Sequence, residues 1–185
     1  MKKTLVLLTF MLGLALGAIA QEPLTFANLP LVSTPTLLPN GYGQLNWSNF
    51  FYVDPWEWSG AGPGYKLGPD RGDVAFIGGK SCIYEYQKGV TLQPEACYGS
   101  ISSAGGATSF QPISAMAAGG FGPVAVNVTA YNNGKYVGSS MFSLTAAPQN
   151  INFPSSWGAI TQMVIQTDAS GDFVLFNLNV YLLGG

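Results

Sequence analysis

Val124-Ala125-Val126-Asn127-Val128-Thr129-Ala130-Tyr131, then Asn132-Asn133-Gly134, then Lys135-Tyr136-Val137-Gly138-Ser139-Ser140-Met141-Phe142-Ser143, is the stretch that decides the fold. Val124, Val126, Val128 and Ala130 fall on one face of an extended chain, and Asn127, Thr129 and Tyr131 on the other, which is the period of a half-buried strand. The Asn-Asn-Gly that follows tolerates positive φ, so the two runs form a hairpin. Outward from it, short runs rich in Val, Ile, Phe, Tyr and Thr alternate with Gly, Pro, Asn and Ser clusters. Strands are predicted over 49–53, 74–77, 100–102, 162–167 and 173–181 as well. In the last, Phe176, Leu178 and Val180 alternate against Asn177 and Asn179. No helical stripe lasts beyond two turns after residue 20, apart from a short turn near 154–160. The expected class is therefore all-β, a sandwich of jelly-roll type.

Composition agrees with that class. Charged residues are only 9% of 185, aromatic residues 13%, and there are 24 glycines, a profile suited to strands joined by tight turns. Seven basic against nine acidic residues give a net charge of −2. Nucleic-acid binding needs a basic footprint that is absent here.

Met1-Lys2-Lys3-Thr4, the apolar run from Leu5 to Ile19 and the Ala18-Ile19-Ala20 end have the parts of a secretory signal. Cleavage is expected after Ala20, giving a secreted, extracellular protein with no membrane segment; an uncleaved anchor is the alternative. Residues 21–40 carry Pro23, Pro30, Pro35 and Pro39, cannot form a regular helix, and are expected to lie as an extended arm across a sheet edge. Residues 41–185 are expected to be the β-sandwich. Export puts Cys82 and Cys97, the only cysteines, where a disulfide persists. Closing that loop stabilises by roughly 3 kcal/mol in the chain-entropy model. A zinc site lacks partners, since the chain has no histidine.

The missing histidine also excludes Ser-His-Asp and Cys-His catalysis. A glycosidase needs two facing carboxylates, and after the leader the chain offers Glu22, Asp54, Glu57, Asp70, Asp73, Glu85, Glu95, Asp168 and Asp172. Sequence does not pair them, so no catalytic residue is expected. Asp54-Pro55-Trp56-Glu57-Trp58-Ser59-Gly60, continuing to Tyr65, is a Gly/Pro-rich loop with concentrated aromatics. Trp56, Trp58 and Tyr65 could stack on a sugar face while Asp54 and Glu57 accept bonds from its hydroxyls. Alternatively, Trp56 or Trp58 folds back as a lid on the sandwich. Trp47 belongs to the core. Asn46-Trp47-Ser48 and Asn127-Val128-Thr129 are glycosylation acceptor patterns, usable only in a host with that machinery. Arg71-Gly72-Asp73 is taken as a plain turn.

Gly41-Tyr42-Gly43-Gln44-Leu45-Asn46-Trp47-Ser48-Asn49-Phe50 resembles a motif of uncharacterised secreted bacterial and fungal proteins. Phe26-Ala27-Asn28-Leu29 and Phe173-Val174-Leu175-Phe176-Asn177 stand where that family has its first and last motifs. The resemblance implies a jelly-roll sandwich similar to galactose-binding-like carbohydrate modules, with no cofactor. Such relatives carry acidic residues in the two terminal motifs, as jelly-roll calcium sites do; here Ala27 and Phe176 occupy those positions, which counts against a metal. The expected function is non-catalytic binding of glycan or a cell-wall polymer through the Trp-rich loop. The alternatives are an extracellular structural, protein-interaction or effector protein, and a carboxylate-dependent hydrolase or lyase.

Overall fold

The computed structural model describes residues 23–69, 72–78, 82–85, 93–105, 107–168 and 171–184, with backbone only at 82–85, 93–96 and 107. The expected leader and Arg71 lie outside the described residues. In chain order the elements are β1 (Leu24–Thr25), β2 (Thr36–Leu37), β3 (Leu45–Ser48), β4 (Phe51–Val53), α1 (Pro63–Lys66), β5 (Val74–Ile77) and β6 (Cys82–Glu85). There follow β7 (Gln93–Ser103), β8 (Ala107–Gly119), β9 (Val124–Asn132), β10 (Lys135–Leu144), β11 (Gln149–Asn152), β12 (Gln162–Thr167) and β13 (Phe173–Gly184). Two antiparallel sheets result, ordered β11-β8-β13-β5-β4-β2 with β1 on β13, and β10-β9-β12-β7-β3 with β6 on β7. The protein is an all-β sandwich.

The β9–β10 hairpin turns through Asn133 (φ 49°) and Gly134 (φ 75°), the pair of positive φ values that matches the twist of two antiparallel strands. Val124, Val126, Val128 and Ala130 are buried between the sheets with Ile101, Met163 and Ile165, facing Ala75, Ala117, Leu175 and Leu178. Trp47 is in this core, and its indole N–H donates to the Tyr42 carbonyl at 2.9 Å. The short turn near 154–160 is a 3-10 helix over Ser155–Trp157.

Four expectations need correction. The strand placed at 49–53 is the shorter β4, preceded by a separate β3: Asn49 between them has φ 58°, and that left-handed residue lets the chain leave the six-stranded sheet at β3 and enter the other as β4. Phe176 does not share a face with Leu178 and Val180. The register of β13 on β8 slips between Leu175 and Asn177, a bulge that inverts the alternation. Phe173, Leu175, Leu178 and Val180 therefore point to the main core, while Val174 and Phe176 point to the opposite side of the sheet. The strand placed at 100–102 extends over Gln93–Ser103, and β8 is a central strand where none was foreseen. Pro112 sits in β8 beside a register irregularity, the place where a strand tolerates a residue without an N–H.

The arm does reach a sheet edge, where β2 pairs β4, but it also enters the fold: β1 pairs β13, and Phe26, Leu29 and Leu38 are buried in the main core. Cys82 is the direct cross-strand partner of Cys97. Antiparallel partners hold their Cα atoms ~4.5–5.5 Å apart, within the span of a disulfide.

Candidate functional site

Continuous buried runs in β4, β5 and the start of β13 mean that the seven-stranded sheet is covered on both faces. Its outer cover is the loop between β4 and β5. Trp58 stacks on Phe76 (5.6 Å between centroids, 20°) and meets Tyr65 edge-on (5.3 Å, 80°). Tyr65 also lies edge-on to Phe76 and Phe121. Trp58, Tyr65 and Phe76, with Phe51, Val53, Val74, Ala118, Val174 and Phe176, form a second apolar cluster.

Tyr65 is the anchor. Its side chain is 1% exposed, and its hydroxyl donates to Asp172 Oδ2 at 2.6 Å. Burial first, then the Asp172 carboxylate, holds the phenol far above its ordinary range. A ring with no accessible face cannot stack on a sugar, so Tyr65 is corrected from a binding platform to a packing residue. Trp58, half-buried on Phe76, belongs to the lid as well, the alternative the sequence left open. Backbone proximity seals the arrangement: the Gly64 N–H donates to the Gly120 carbonyl at 2.9 Å, and a Cβ on Gly64 would sit 2.0 Å from the Gly119 oxygen. The remaining candidates stay near solvent. Trp56 is 51% exposed, Glu57 is exposed, and Asp54 Oδ1 accepts the Trp56 N–H at 2.8 Å.

The six-stranded sheet presents the opposite case. Its inner face is apolar, and among the described residues no such aromatic lid covers its outer face. Register aligns three cross-strand rows on that outer face: Asn46, Ser102, Gln162, Tyr131 and Tyr136; Ser48, Ser100, Val164, Thr129 and Ser139; and Tyr98, Gln166, Asn127 and Met141. No Lys, Arg, Asp or Glu stands in these rows. Lys135 lies at the hairpin end and exposed Asp168 just past the other. With strands ~4.8 Å apart, the five-strand rows span about 19 Å.

The face is partly pre-organised. Gln166 Nε2 donates to the Tyr98 hydroxyl at 3.1 Å, the Tyr136 and Ser139 hydroxyls are 3.2 Å apart, and Tyr131 and Tyr136 meet edge-on at 6.3 Å. Tyr136 is 64% exposed. Sequence reasoning found one strip of this surface, the polar side of the hairpin, but not its continuation. Both expected glycosylation acceptors lie on it: Asn46 Nδ2 donates to the Ser103 carbonyl at 3.2 Å, and Asn127 stands in the row nearest Asp168.

The chain matches no protein-family model and no curated protein, so the family resemblance of the Gly41–Phe50 block gains no support. Among solved structures, TmCBM61 in complex with β-1,4-galactotriose is similar at 11% identity and TM-score 0.35, over 80% of this chain and 95% of that one. A CBM4 structure is similar at 15% identity and TM-score 0.30, over 72% and 86%. Neither likeness, at that level, is ground for a function.

Proposed function

We propose that the protein is an exported, non-catalytic module that binds an uncharged glycan across the outer face of its six-stranded sheet. The charge-free, hydrogen-bonding character of that face carries the reading. Amide, hydroxyl and phenol groups each pair with sugar hydroxyls as donor and acceptor, and the Tyr131 and Tyr136 rings supply apolar area at low entropic cost. An anionic polymer would need cationic partners, and none stands in the rows. The Trp-rich loop is a lid in this reading, with Trp56 left as an outlying contact.

A second reading has its own observation. Leu31, Trp56, Leu67 and Phe121 are each at least half exposed, and apolar groups of that size suit a protein partner if they adjoin. The hydrolase reading has less in its favour: Asp54 is felt by Asp73, but Asp73 is 4% exposed beside a cavity of only about 30 Å³, too small for a sugar ring.

Isothermal titration against neutral and acidic polysaccharides tests the proposal. Binding to a neutral polymer that changes less than twofold between 50 and 500 mM salt is expected, since no ion pair is available to screen. Q162A and Y131A should each weaken it about tenfold or more, as the loss of one bond or stacking contact requires, while W58A leaves affinity unchanged. Loss of binding with W58A but not Q162A would return the site to the loop; no binding to any polymer would favour the protein partner.

A further inference from the structure

The terminal motifs raise a question of their own, because relatives of the resembled family carry acidic residues there, as jelly-roll calcium sites do. Ala27 and Phe176 do meet, lining one small cavity with Thr25, Gly72, Asp73 and Asn177. The donor set does not fit the ion, which takes six to eight oxygens. Ala27 and Phe176 offer no side-chain oxygen, the Thr25 carbonyl already accepts the Tyr42 hydroxyl, and Asn177 Oδ1 accepts the Met116 N–H at 3.0 Å. Among the described residues no three His, Cys, Asp or Glu side chains gather.

What remains is Asp73, a single carboxyl, 4% exposed, with neither oxygen hydrogen-bonded. An ionised carboxylate so placed is costly, whereas the neutral acid is tolerated. The cavity's other wall is the arm: β1 pairs β13 through Thr25 and Asn177, and Phe26 is packed against Tyr42 and Trp47. The arm's β1 joins the sheet through only two paired residues, beside the Tyr42 hydroxyl bond to the Thr25 carbonyl and the buried Phe26, so β1 is the part of this wall whose displacement would let water reach the carboxylate.

We infer that a proton on Asp73 does here what a cation would do elsewhere: it lets the arm close over the carboxyl, and ionisation loosens β1 from the sheet. Two charged or titratable groups face Asp73 among the described residues, Asp54 from the loop after β4 and Tyr42 from the turn before β3. Burial, and secondarily Asp54, push the Asp73 acid up to about 6. A folded-state value above the ordinary 3.8 means the folded protein binds the extra proton. Arm closure is then tightest below the ordinary value and is lost as pH rises through about 6.

Hydrogen exchange of the residue 24–29 amides, corrected for intrinsic rates, tests this in the purified protein. Protection should fall about tenfold between pH 5 and pH 7.5, the part of the linkage left above pH 5 when the folded value is about 6. In D73N it should stay flat, and in D54N the midpoint should move down. Millimolar calcium should change nothing. Flat protection in the unmodified protein, an unmoved midpoint in D54N, or protection restored by calcium at pH 7.5 would each overturn the inference. If D73N fails to fold, the D54N midpoint and the calcium arm still decide.

Discussion

Replacing Tyr65 with Phe separates a lid from a binding platform, because it removes one oxygen and nothing else. The ring, 1% exposed among Trp58, Phe76 and Phe121, keeps its place. What is lost is the 2.6 Å bond to Asp172, a residue itself only 9% exposed. A hydrogen bond to a charged group is worth about 1.5–3 kcal/mol. A loss of about 2 kcal/mol is therefore expected, against the ~3–5 kcal/mol that Y65A should cost by also emptying the ring's site. Urea denaturation followed by tryptophan fluorescence reads both, with the midpoint lowered and the slope unchanged. Glycan affinity should not move, since Tyr65, in α1, packs against the other sheet. Unchanged stability with weakened binding in Y65F would refute the lid and reinstate Tyr65 as a contact residue.

Gly64→Ala should be more disruptive than its size suggests, because the new Cβ would meet the Gly119 carbonyl oxygen at 2.0 Å; quenching of Trp58 fluorescence by acrylamide should rise as the lid lifts. Reducing a Cys82–Cys97 bridge, which their register invites, should lower stability by roughly 3 kcal/mol; equal denaturation midpoints with and without reductant, and an intact mass that reductant does not change, would show the thiols unpaired. Salt-insensitive glycan binding weakened by Q162A, and pH-dependent protection of residues 24–29 abolished by D73N, complete the set.

The hairpin was legible because two independent signals agree there, the alternation over Val124–Tyr131 and a turn that requires positive φ. β8 was not legible: Ala, Ser and Gly dominate Ala107–Gly119, and Pro112 argues against a central strand. Its place is secured by pairing on both sides, with β11 and β13, which no local propensity encodes. The lid had a readable signature that points past the loop itself. Phe51-Tyr52-Val53, Val74 to Ile77 and Phe173 to Phe176 are unbroken apolar runs, and a strand apolar on both sides needs something over each. Trp58 and Tyr65 are that something. The polar face was half legible: Asn127, Thr129 and Tyr131 announce it, but Asn46, Ser102 and Gln162 join them only through register, a long-range property. The inversion at Phe176 was out of reach, since nothing in Leu175-Phe176-Asn177 marks a bulge.

The pairing of β1 with β13 also sets an order of events. Leu24 and Thr25 find their partners at Leu178 and Asn177, so β1 waits for β13, far later in the chain. β5 waits too, for Phe173 to Leu175, and β8 for nearly the whole of β13. Long-range pairings of this kind delay the steps that reward loop closure. The seven-stranded sheet cannot be completed until β13 has been made, whereas the β9–β10 hairpin needs no residue beyond Leu144. Until β13 has been made, the chain lacks the strand that joins β8, β5 and β1, and so stays without half of its sandwich.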